Sequence, residues 1–154
     1  MWVRRQKFYP PAAAMADRHY SRRKVGSPQF MPPGQTIVLT TPDDRALFGW
    51  WRPDPKSGIV PMNKLLGWTC TIFRNESELR SSELILAAER ALVEHSGECG
   101  PDGMLTYVWD KKVSSKNPGY CYKCAGWTIH PTRPRSADNK KTLLTKPFSM
   151  AGVA

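Results

Sequence analysis

The chain has 154 residues, 40% of them hydrophobic and 23% charged, which suits one folded domain with its own core and tells against wholesale disorder. Its formal net charge of +10 is concentrated at the ends: seven Lys/Arg against one acid over residues 1–25, seven against eleven over 26–110, and nine against one over 111–154. No apolar run reaches the roughly 18 residues of a membrane span and the start lacks the apolar stretch of a secretion signal, so we expect a cytoplasmic protein with no membrane partner.

Residues 1–34 mix basic and aromatic residues with Pro and Gly. They hold one candidate helix, around residues 12–18, before Met31-Pro32-Pro33-Gly34 forces an extended entry into the next segment. Residues 35–41 (QTIVLTT) are rich in β-branched side chains, Pro42-Asp43-Asp44 is turn chemistry, and residues 46–52 (ALFGWWR) are apolar and aromatic; together they predict a β-hairpin. Residues 66–73 (LGWTCTIF) predict a third strand, with Trp68, Cys70 and Ile72 alternating with Thr69, Thr71 and Phe73 across two covered faces.

The strongest helical pattern covers residues 81–95. Ser81-Ser82-Glu83 supplies a capping hydroxyl and a first-turn carboxylate, Leu84, Ile85, Ala88, Ala91 and Leu92 make an apolar stripe for the sheet, and Gly97 follows the end. Residues 104–109 (MLTYVW) predict a strand. Asn117-Pro118-Gly119 opens a short helix over 120–125 that Gly126 ends, and 127–130 and 140–146 are further strands. The predicted order is hairpin, strand, helix, strand, helix, strand, strand, in an α/β protein without internal repeats. We expect a single domain over 1–154, with a basic N-terminal arm (1–25) packed on or near it and a basic C-terminal extension (131–154).

Cys70, Cys99, Cys121 and Cys124 are expected as reduced thiols in the cytoplasm. Cys121 and Cys124 form a C-x-x-C, yet no second such pair or paired His stands at zinc-finger spacing, so structural zinc is the lesser reading beside buried or reactive thiols. His95, ending a helix, and His130, before Pro131, read as ordinary terminal or loop histidines.

A strand, a main helix, a strand and a short helix that opens with Asn and closes on an aromatic beside Gly, here 66–73, 81–95, 104–109 and 117–127, resemble the second half of a GNAT acetyltransferase fold, and NPGYCYKCAGW resembles the ending of many acetyltransferases. Asp17-Arg18-His19-Tyr20-Ser21-Arg22, Phe73-Arg74-Asn75, Ser81-Ser82-Glu83-Leu84 and Asn117-Pro118-Gly119-Tyr120-Cys121 resemble the Mom-like proteins of phages and prophages, a GNAT-related group that modifies adenine in DNA. The similarity runs over residues 17–130. It implies a GNAT-like, mixed, mostly antiparallel central sheet flanked by helices. It also implies a transferase that adds an acyl-derived, carbamoylmethyl-type group to the N6 amine of adenine in double-stranded DNA, protecting phage DNA from host restriction. A GNAT N-acyltransferase acting on a protein or small-molecule amine and a non-catalytic basic DNA-binding protein are the alternatives.

On this resemblance His19, whose unperturbed pKa lies near neutrality, is the candidate base, with Tyr20 and Ser21 orienting substrate or donating to a developing oxyanion. Phe73, Arg74 and Asn75 would line a notch for the donor, completed by Ser81, Ser82 and Asn117, with Asp110 near its other edge. Tyr120 and Cys121 would face the same opening, Tyr122 being an equally good positional match for a general acid and Cys121 a candidate nucleophile if a helix N-terminus lowers its pKa. The family further implies an acyl donor of the acetyl coenzyme A type and a catalytic iron with His19 and Asp110 as ligands. Typical acetyltransferases hold the coenzyme's pyrophosphate on a Q/R-x-x-G-x-G/A loop; the equivalent stretch here, residues 74–82, departs from that pattern with no glycine and two glutamates. An adenine amine in a duplex is reached only by flipping the base, at about a few kcal/mol, so Trp50, Trp51 and Tyr107 are candidate stacking platforms, although tandem tryptophans in a strand more often pack in a core or at an edge. Arg18, Arg22, Arg23, Lys24, Lys111, Lys112 and Lys116 are candidate phosphate contacts, although the same charges also suit a solvated basic surface.

Overall fold

The computed structural model describes residues 2–19, 24–54, 56, 65–109, 119–131 and 141–148. In chain order these form β1 (Val3–Arg5), α1 (Pro10–Asp17), β2 (Gln35–Thr40), β3 (Ala46–Arg52), β4 (Trp68–Asn75), α2 (Ser81–Ser96), β5 (Met104–Trp109), α3 (Tyr120–Cys124), β6 (Thr128–Ile129) and β7 (Lys141–Lys146). The strands make one sheet in the order β1-β2-β3-β4-β5-β7-β6, antiparallel at every step except the parallel β4/β5 pair. This is the mixed, mostly antiparallel sheet expected, with α1 on one face and α2 and α3 on the other. No helix among the described residues is long and apolar enough to cross a membrane.

The described parts of the two basic terminal segments contribute strands to the sheet. Val3–Arg5 pairs with β2 as an edge strand absent from the predicted order. Residues 141–146, inside the stretch read as a C-terminal extension, are β7, inserted between β5 and β6, because Thr142, Leu143 and Leu144 are buried.

Tryptophans fasten the sheet to α2. Trp50 is fully buried and donates its indole N–H to the Ala88 carbonyl (3.0 Å), Trp2 donates to the Leu84 carbonyl (2.9 Å) and Trp127 to the Glu89 carboxylate (3.1 Å). The small side chains of Ala87, Ala88 and Ala91 let these rings approach, and each large apolar side chain so buried contributes about 2–3 kcal/mol. The helix stops where Gly97 turns left-handed (φ 72°) and returns its N–H to the Val93 carbonyl. At its start the expected cap is displaced: Arg80 holds the cap position without a side-chain bond, and Ser81 is the first helical residue, its hydroxyl accepting from the Asn75 amide (3.1 Å).

The alternation predicted for residues 66–73 breaks at one point. Against β3, Phe73 pairs with Phe48, Ile72 with Gly49 and then Cys70 with Trp50, so Thr71 is an extra residue in β4. Cys70 therefore joins the core under α2 and α3, while Ile72 joins the cluster under α1.

Candidate active site

β4 and β5 pair only over Trp68, Thr69 and Cys70 with Met104, Leu105 and Thr106. Past the Thr71 bulge no β4/β5 pairing follows, and the notch between them is a cavity of about 150 Å³. His19, just after α1, lines it, as do Cys70 to Phe73 of β4, Thr106 to Val108 of β5, and Gly119, Cys121 and Tyr122 of the α3 segment. A space of that size takes a benzene-sized group, enough for a small acyl group and the atom that receives it.

His19 is placed by its backbone N–H, which donates to the Ala16 carbonyl (2.9 Å), and its ring hydrogen-bonds to the Phe73 backbone. Burial pushes its pKa down to about 4, the positive charge of Arg74 adds to that shift, and the Phe73 bond opposes it. The imidazole is therefore neutral at pH 7. From α3, the buried Tyr122 hydroxyl lies 3.4 Å from Cys70 Sγ, and Thr106 Oγ1 donates to the Cys70 carbonyl (3.1 Å). Burial pushes the Cys70 thiol up to about 12; burial first, then Cys70, raises Tyr122 well above 10. Both groups are therefore protonated at pH 7.

Two sequence expectations for α3 change here. Tyr120 is 60% exposed and is not among the cavity residues; its hydroxyl bonds to Cys124, and Tyr122 takes the inward place. Cys121 does line the cavity, but burial raises its pKa, so it is a thiol and not an activated thiolate.

Next to His19 in the chain, Arg18 makes two bonds to the Glu76 carboxylate (2.7 and 2.8 Å), and Arg74, next to Phe73, donates to the same carboxylate (2.5 Å) and to the Arg18 carbonyl (2.7 Å). These bonds, Arg18's first, hold Glu76 at a pKa of about 2. Phe73 and His19 thus meet at the cavity with Arg74 beside them, while Asn75 and Ser81 bond to each other within the β4–α2 turn. Ser82 stands in the first turn of α2. Arg18, expected on phosphate, is engaged by Glu76; Lys24 is exposed; Trp51, expected as a stacking platform, is half-buried beside the α1 cluster and donates its N–H to the Pro33 carbonyl (2.9 Å). Tyr20, Ser21, Arg22, Arg23, Asp110, Lys111, Lys112, Lys116 and Asn117 lie outside the described residues. Cys70 and Thr106, which face one another across the parallel pair, were not singled out from the sequence. Their only signal is position in two strands that have to be neighbours.

α2 opens at Arg80 with no side-chain cap, and the β4–α2 turn before it carries no glycine. Its Ser77 and Leu79 amides already donate to the Asn75 and Ser77 side chains, and Glu76 sets a carboxylate among them. For the iron that the resemblance implies, no group of three or more His, Cys, Asp or Glu among the described residues is arranged to hold a metal ion.

The chain is similar to the crystal structure of aminoglycoside 6'-acetyltransferase type Ii, with a TM-score of 0.61 over 97% of each chain. The fold is GNAT-like. At 15% identity the likeness is one of architecture and does not extend to substrate. No family model matches the chain, and no curated protein matches it in sequence.

Proposed function

We propose that the chain is a GNAT-like transferase that moves an acyl-type group onto an amine within the β4/β5 notch, an N-acyltransferase acting on a protein or small-molecule amine. The observation that carries this reading is the meeting of a neutral imidazole, His19, and a protonated phenol, Tyr122, on one small cavity at the point where the parallel pair opens. With one ring N–H of His19 directed to the Phe73 carbonyl, the other nitrogen is the basic one. The amine nitrogen attacks the acyl carbon, a C–N bond forms, and the bond from that carbon to the leaving group breaks. The amine's proton passes to His19, and the leaving group takes a proton from Tyr122. A base with a pKa of about 4 is weak, so the transfer to His19 becomes favourable only after attack, when the nitrogen carries positive charge.

The second reading takes the N6 amine of adenine in DNA as acceptor of a carbamoylmethyl-type group. The nitrogen attacks the donor's methylene carbon, an N–C bond forms, the bond from that carbon to the leaving group breaks, and the amine's proton passes to His19. It is favoured by the net charge of +10, concentrated in the terminal segments, and by the resemblance of residues 17–22 to the Mom-like proteins. Purified protein incubated with activated acyl donors and either a panel of amines or duplex DNA separates the two by the mass of the product. An acylated amine without modified deoxyadenosine supports the first reading, modified deoxyadenosine supports the second, and retained DNA binding with no product from any donor refutes both.

A further inference from the structure

The parallel pair of β4 and β5 ends on a rung that carries two polar side chains. Cys70 and Thr106 are the last partners before the strands part, and both line the cavity that begins there. Thr106 Oγ1 donates to the Cys70 carbonyl (3.1 Å), a side-chain bond added to the ladder that fixes the backbone under the thiol. Cys70 is buried, and its sulfur has two oxygen neighbours, the Ile72 carbonyl at 3.5 Å and the Tyr122 hydroxyl at 3.4 Å. A thiol has one proton to give. With that proton directed to the Ile72 carbonyl, which only accepts, the sulfur is left as the acceptor for the phenolic O–H. The Tyr122 ring is already held by edge contacts with Phe73 and Trp127, so the rotation of its O–H is the freedom that Cys70 removes. Sulfur is a weak acceptor, and a stronger one arriving in the notch can take the proton over.

We propose that Cys70 is a positioning residue for the transfer: its sulfur aims the Tyr122 hydroxyl proton and releases it to the leaving group. This rests on the transfer reading above, in which Tyr122 is the acid, and adds the group that orients that acid.

The test is a double-mutant cycle in steady-state kinetics, Cys70→Ala and Tyr122→Phe singly and together, with Cys70→Ser as the conservative variant and far-ultraviolet dichroism to check folding. Cys70→Ala is expected to lower kcat about fivefold with KM within about twofold of wild type, and Cys70→Ser to recover most of that loss. In the Tyr122→Phe background, Cys70→Ala should change kcat by no more than about twofold. The same loss in both backgrounds means that the sulfur only fills space, and overturns the proposal. So does a kcat that Tyr122→Phe lowers and Cys70→Ala does not. A kcat that Tyr122→Phe leaves unchanged refutes the acid, and the proposal with it. The infrared S–H stretching band that Cys70→Ser removes gives a readout independent of turnover, and it decides if Cys70→Ala does not fold. That band should shift in Tyr122→Phe; an unshifted band overturns the proposal. A shifted band in a chain that transfers to no amine refutes the transfer reading, and the role of Cys70 falls with it.

Discussion

Cys70 and Ile72 stand two residues apart on β4 and belong to opposite faces of the sheet. The extra residue between them, Thr71, lies where β4 leaves β5, so the bulge and the notch occur together. Deleting Thr71 restores plain alternation, lets the parallel pairing run on and narrows the cavity. The expected result is a loss of transfer activity of about 10²-fold or more with the far-ultraviolet dichroism retained, while Thr71→Ala, which keeps the backbone, stays within about threefold of wild type.

His19 should titrate far below an ordinary histidine. Nitrogen NMR of the imidazole is expected to show the neutral ring down to a pKa of about 4. Since the unfolded chain takes up that proton near pH 6.5 and the native chain does not, stability is full above 6.5 and falls as pH drops through 4. Arg74→Gln removes the secondary cause of the shift and should move the pKa upward without restoring it to 6.5, because burial remains.

The two tyrosines of α3 should separate cleanly. Tyr122→Phe keeps the ring packed against Trp127 and Phe73 but loses the hydroxyl at Cys70, and kcat is expected to fall by about 10²-fold or more with a stability loss of only about 1 kcal/mol. Tyr120→Phe, on the exposed side, should leave both unchanged. Equal effects of the two substitutions in steady-state kinetics would contradict the assignment.

The closed end of the notch is set by a close backbone approach. A Cβ placed on Gly67, just before β4, would lie 1.9 Å from the carbonyl oxygen of Gly103, just before β5. Gly67→Ala must therefore push the two strands apart, and we expect a loss of about 1–3 kcal/mol in denaturant unfolding.

Much of this architecture is legible in the sequence. β3 and β5 lie where the β-branched and aromatic runs put them, and the stripe of Leu84, Ile85, Ala88, Ala91 and Leu92 packs on the sheet as its spacing requires. β1 was missed because three residues containing two arginines give no period to read. The bulge was missed because one inserted residue leaves the composition of the run unchanged. A helix of five residues is too short for periodicity to say whether Tyr120 or Tyr122 points inward. That both Arg18 and Arg74 close on Glu76 is a tertiary fact: Arg18 lies 58 positions from Glu76 in the chain.

The most direct test of group transfer by His19 in the notch is mass spectrometry of the amine pool and of digested plasmid DNA from cells expressing the wild-type chain or His19→Gln at matched soluble levels. The account predicts a new acylated amine, or a modified deoxyadenosine, with wild type and its loss, by about 10²-fold or more, with the variant. No new adduct in either pool, or the same adduct at the same level in the variant, would contradict it.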